Sequence, residues 1–125
     1  MTASNFFIVF LGGAIGSVLR YYLIFFLHTK ITDSFPWGTF GVNFIGCFFI
    51  GIVFGTMGMQ QGLENHRLFL MTGLLGGFTT FSSFALDGLQ LWQQGRQLLS
   101  AIYVVATNVS GFVAVIGGYY ISRIF

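Results

Sequence analysis

The side chains in this sequence that could carry chemistry are few, and most stand inside apolar runs. Arg20 lies in GGAIGSVLRY (12–21), Asn43 in GTFGVNFIG (38–46), and Thr107, Asn108 and Ser110 in TNVSG (107–111), while Asp87 falls near the end of a third run. The densest stretch is GGFTTFSSF, Gly76 to Phe84, with two adjacent glycines, four hydroxyls and three phenylalanines. Polar groups in hydrocarbon are expensive, about 2.5–3.5 kcal/mol for an arginine at a helix centre on insertion scales, and are therefore the first candidates for function. An amide, a few hydroxyls and one cation along an apolar path can replace part of an ion's hydration shell.

Phe81 and Phe84 are three apart, so a helix presents both rings on one side, with Ser82 or Ser83 nearby. A phenyl ring is positive at its edge. Inward-turned edges, helped by serine hydroxyls and the Asn43 amide, can solvate an anion without a full positive charge that would trap it. Each group also has a plainer account. Arg20 can snorkel to the interface, Asn43 can bond helix to helix, and Thr107 and Ser110, which share a face, can bond back to their own backbone. Asp87 can reach the interface or pair with an arginine, and phenylalanines in a chain with 17 of them can simply pack.

Other chemistries find little support. The sequence has no His/Cys/Asp/Glu group with metal-ligand spacing, no phosphate-binding glycine loop after a strand, and no serine or cysteine nucleophile beside a base, so an enzyme is not expected. His28 and His66 fall in connections, where water solvates them. The single cysteine, Cys47, lies inside an apolar run, excludes an intrachain disulfide and reads as helix packing. The net charge of +2 comes from five scattered basic residues that form no nucleic-acid stripe.

The elements that must position these groups are membrane spans. Hydrophobic residues make up 55% of the 125 positions and charged ones 6%, too few to cover a water-soluble surface. Four apolar runs, Phe6–Leu27, Trp37–Met59, Leu68–Leu91 and Leu98–Ile121, each approach the ~20 residues that cross the hydrocarbon core. The first is too long for the apolar region of a signal peptide and reads as a span. The sequence therefore predicts an all-α integral membrane protein, residues 1–125 forming one four-span domain with short connections. The third run has its midpoint between Thr79 and Thr80, and glycine pairs and β-branched threonines are poor helix interior. A third helix broken near its centre is expected. Such a break survives only where protein buries it or a cavity wets it, and its freed carbonyls suit a hard monovalent cation.

Four spans put both termini on one side. Arg67 and Arg123 then oppose Lys30 and Arg96, two against two, and orientation follows the Lys/Arg bias. Either a weak bias still sets one orientation, or copies insert both ways and pair as an antiparallel homodimer. The 18 glycines, with small-xxx-small pairs at Gly12/Gly16, Gly51/Gly55 and Gly73/Gly77, indicate close helix packing.

In order and spacing, GGAIGSVLRY, GTFGVNFIG, GLLGGFTTFSSF and TNVSG resemble the signatures of the small fluoride channels, the Fluc or CrcB family, and the resemblance spans nearly the whole chain. It implies passive, selective export of fluoride across the bacterial inner membrane by a dual-topology antiparallel homodimer in membrane lipid, with two pores and a structural sodium ion (Na+) at the centre of the interface. The implied pore residues are Phe81, Phe84, Asn43 and Ser110, with Ser82 and Ser83 in a polar track and Arg20 at the vestibule; Gly76 and Thr79 are the implied sodium-binding carbonyls. Threonine is common in the family where Ser83 stands, and Phe78 has no implied role. The competing expectation is a dual-topology, proton-coupled exporter of small cationic drugs. That activity needs an acid in the first span, where this sequence has Arg20.

Overall fold

A computed structural model describes residues 2–31, 34–58 and 60–124; Met59, the expected end of the second span, lies outside the described residues. Every regular element among them is helical: α1 (Ala3–Lys30), α2 (Trp37–Met57), α3 (Glu64–Arg67), a π-helical segment (Leu68–Leu75), α4 (Gly76–Phe78), α5 (Phe81–Gln93) and α6 (Gln97–Ile121). They compose four helical stretches long and apolar enough to cross a membrane: α1, α2, Glu64–Gln93 and α6. At ~1.5 Å per residue, the shortest of the four, with 21 residues, matches the ~30 Å hydrocarbon thickness. Their outward faces suit lipid and not water: Phe6, Phe7, Phe10 and Tyr22 on α1 and Val105, Phe112 and Val113 on α6 are all more than half exposed. Gly62 and Gly95, both with positive φ, turn the chain between stretches, a conformation glycine adopts without steric cost.

Spans next to each other in sequence are not the ones that pack most intimately. A β-carbon added at Gly12 would meet the Phe69 carbonyl, one at Gly16 the Leu74 carbonyl, and one at Gly77 the Gly13 backbone. Residue numbers rise together along this seam, so α1 and the third span run parallel. Likewise Cys47 lies against Gly111, a β-carbon at Gly51 would strike the Val115 carbonyl and one at Gly55 the Ser122 side chain, so α2 and α6 also run parallel. Backbone meets backbone along both seams, which only glycine permits. The seam through Gly12, Gly16, Gly73 and Gly77 is where the sequence placed two small-residue pairs, and Gly51 and Gly55 serve the other.

The third span changes winding along its length. From Leu68 to Leu75 it is π-helical, with the Gly76 N–H reaching the Met71 carbonyl five residues back. It returns to α geometry at Gly76–Phe78. Thr79 (φ −79°, ψ 159°) and Thr80 (φ −149°, ψ 114°) are then both extended before α5 begins at Phe81. These two residues organise the site.

Candidate functional site

An extended dipeptide at membrane depth leaves backbone groups that no helix pairs, and each needs a partner. The side chain of Asn43, on α2, supplies two: its Oδ1 accepts from the Thr80 N–H (2.8 Å) and its Nδ2 donates to the Thr80 carbonyl (3.1 Å). Donor and acceptor on Thr80 set the orientation of the amide. Arg20, from α1, donates through Nη1 to the Thr79 carbonyl at 3.3 Å. The Thr79 N–H and hydroxyl both go to the Leu75 carbonyl, each at 3.0 Å. Thr80 also caps α5: its Oγ1 accepts from the Ser83 N–H at 3.2 Å and donates to the Ser83 hydroxyl at 3.0 Å, with the Ser82 hydroxyl 3.4 Å away. Gly46 completes the fit, because a β-carbon there would collide with the Thr79 methyl.

One carbonyl loses by this arrangement. In a continuing helix the Thr80 N–H would reach back to Gly76, but it is held by Asn43, so the Gly76 carbonyl is without its helical donor on an exposed wall. This carbonyl fits a weakly charged cation. Thr79 fits through its second lone pair only, since the Arg20 guanidinium already occupies the first and repels a cation so near.

Gly76, Thr79 and Thr80 line a cavity of about 360 Å³ with Asn43, Phe81, Phe84 and Thr107, among others, contributed by α2, the third span and α6. The two phenylalanines stand differently. Phe84 is 6% exposed, packed in the core with Leu91 and Tyr103, while Phe81 is 78% exposed at the cavity mouth; their centroids are 5.5 Å apart and the rings are tilted by 50°. From α6 the Thr107 hydroxyl is, among the described residues, the one buried side-chain polar atom with no hydrogen-bond partner. An unpaired buried hydroxyl is costly, about 1–3 kcal/mol.

The structure thus brings together Asn43, Gly76, Thr79, Phe81 and Phe84. Arg20, Ser82, Ser83 and Ser110 are not part of the cavity wall: Arg20 and Ser83 serve the extended pair, Ser82 is exposed beside it, and the Ser110 hydroxyl donates to the Thr107 carbonyl at 3.3 Å. Asp87 pairs with no arginine and instead accepts from the Tyr103 hydroxyl at 3.3 Å. Sequence reasoning missed the structural parts of Thr80, Gly46 and Tyr103, although a helical spacing signals two of them. Tyr103 is four residues before Thr107, and Gly46 three after Asn43, so each shares a face with a residue already singled out.

A family model described as "CrcB-like protein, Camphor Resistance (CrcB)" matches residues 7–119. The chain belongs to the CrcB family. That CrcB match contains every residue of the extended pair, its clasp and the cavity. Named relatives include "Fluoride-specific ion channel FluC" of Rhizobium etli, 44% identical over 94% of each chain. The protein of the same name from Helicobacter pylori is 44% identical over 92% of this chain and 90% of its own. That of Agrobacterium fabrum is 43% identical over 95% of this chain and 96% of its own. Against relatives of this size, the chain aligns nearly end to end.

Proposed function

We propose that this protein conducts fluoride passively across the bacterial inner membrane, working as an antiparallel homodimer with two pores and a structural sodium ion at its centre. The single observation that carries the reading is the end-to-end match to CrcB relatives named as fluoride-specific ion channels. The cavity supports it. Its wall is lined by Phe81, Phe84, Thr107 and Asn43, whose amide keeps a second N–H after one is given to Thr80. These are donors without net charge, suited to a small, strongly hydrated anion that must also leave.

In this scheme Phe81, exposed at the mouth, hands the anion inward to Phe84. Thr107 donates a hydrogen bond beside them, with Ser110 one turn along α6 and Ser82 and Ser83 at the start of α5. Arg20 raises the local concentration of anions near the extended pair. Gly76 and Thr79 would hold the sodium ion through their main-chain oxygens, which supply neutral ligands to a monovalent cation. Asn43 acts first on the protein itself, holding Thr80 extended so that α5 starts where both rings face the cavity. The proton-coupled exporter has no support here: α1 carries no acid, and Asp87 is engaged with Tyr103.

Purified protein in liposomes loaded with fluoride, read with an ion-selective electrode and set against chloride under the same gradient, tests the reading. Fluoride efflux with chloride retained is the expected result. Phe81→Ile or Phe84→Ile should suppress that efflux while the protein still elutes as a dimer; unchanged flux would refute the ring-edge mechanism.

A further inference from the structure

Phe84 is held by a column of aromatic rings that reaches out of the membrane-spanning part to the α1–α2 connection. Its centroid lies 5.3 Å from that of Tyr103, which is fully buried. Tyr103 is fixed at its hydroxyl by Asp87, and its ring is met edge-on by Phe35 (5.4 Å, 86°). Phe35 lies outside every helix, between α1 and α2. Its own placement is determined closely. It precedes Pro36, which disfavours helical backbone at Phe35; its carbonyl accepts from the Trp37 N–H at 2.8 Å. Its ring sits against Trp37 (4.5 Å) and edge-on to Phe40 (5.6 Å, 69°). A connection between spans that needed only to join them would not send its one aromatic side chain inward to touch α6.

We infer that Phe35 is a positioning residue for conduction, setting the angle of the Phe84 ring through Tyr103. This rests on the reading of Phe84 as a pore residue. Phe35 itself does not line the cavity. With its edge removed, Tyr103 gains room to tilt about the Asp87 hydrogen bond, and Phe84, packed on its other side, follows. The ring edge offered to an anion is then no longer fixed, although no pore residue has been altered.

Full-length protein carrying para-fluorophenylalanine at position 84, studied by fluorine NMR in lipid nanodiscs, reports the ring directly. Phe35→Leu should shift and broaden the line from position 84 and lower fluoride efflux about tenfold, the equivalent of one aromatic pair. Phe35→Tyr, which keeps the edge, should restore both, and the same label at Phe10 on the lipid-facing side of α1 should not respond. A line from position 84 that does not move in Phe35→Leu overturns the inference, as does lost efflux that Phe35→Tyr fails to restore. Phe84→Ile is run alongside: if its efflux equals that of the parent, Phe84 is not in the path and both readings fall. If efflux falls in Phe84→Ile but not in Phe35→Leu, the inference about Phe35 alone is wrong.

Discussion

At the scale of single residues, the site depends on side chains that pair with backbone and on one that has no partner among the described residues. Asn43 satisfies both polar groups of Thr80. Asn43→Asp keeps the acceptor but loses the donor and puts a carboxylate beside a carbonyl, so it should cost at least the ~1–3 kcal/mol of an unsatisfied buried group; a fall in thermal stability of the detergent-solubilised protein would register it. Thr107 behaves oppositely. Because its hydroxyl has no partner among the described residues, Thr107→Val removes an unpaired group and should leave thermal stability equal or higher, yet lower fluoride efflux. Ser110, already bonded to the Thr107 carbonyl, should matter less: Ser110→Ala is expected to reduce efflux by a smaller factor in the same liposome assay, and the reverse ranking would return the fourth-span role to Ser110.

At the scale of elements, glycine decides which helices meet. The two parallel seams, α1 with the third span and α2 with α6, bring backbones together where any β-carbon would have to enter a carbonyl. Gly16→Ala should therefore be severely destabilising, beyond the ~1–3 kcal/mol typical of overpacking, because rigid backbone is the obstacle. Gly117, on α6, has open space where its β-carbon would go, and Gly117→Ala should instead stabilise the helix by up to ~1 kcal/mol. Monodispersity on size exclusion and melting temperature separate the two. Close packing also lets the extended pair be reached from both sides: the α1 seam brings Arg20 to Thr79, and Gly46, against Thr79, lets α2 bring Asn43 to Thr80.

At the scale of the whole molecule, the positive charges other than Arg20 sit at the span ends, and several are partly spent on local contacts. Arg67 donates to the Met57, Gly58 and Gln60 carbonyls at 2.9–3.1 Å, Lys30 lies over Phe26, and Arg123 lies over Tyr119. With two cations on each side, orientation is poorly instructed, as the proposed antiparallel dimer requires. Three lysines added at the C-terminus should force one orientation and abolish efflux. Co-expression with a copy biased the other way should restore it, and undiminished efflux from the tagged protein alone would rule out the antiparallel dimer.

Much was legible without coordinates because membrane burial imposes simple demands on a chain. Four apolar runs of spanning length, the scarcity of charge and the glycine pairs follow from hydrocarbon as solvent; low helix propensity from Gly76 onward points to a departure, although Gly76–Phe78 stays α-helical and only Thr79 and Thr80 are extended. Composition and spacing do not specify which polar atoms meet. Whether Asn43 bonds helix to helix or faces a path depends on where α2 lies against Thr80, and there it does the first while keeping one N–H for the second. That Thr107 rather than Ser110 reaches the cavity depends on the rotation of α6, which is set by Gly51 and Gly118 in the seam. The extended pair, predicted by poor helix propensity, acquired its particular shape only from three side chains on other elements: Arg20, Asn43 and, by its absence, Gly46.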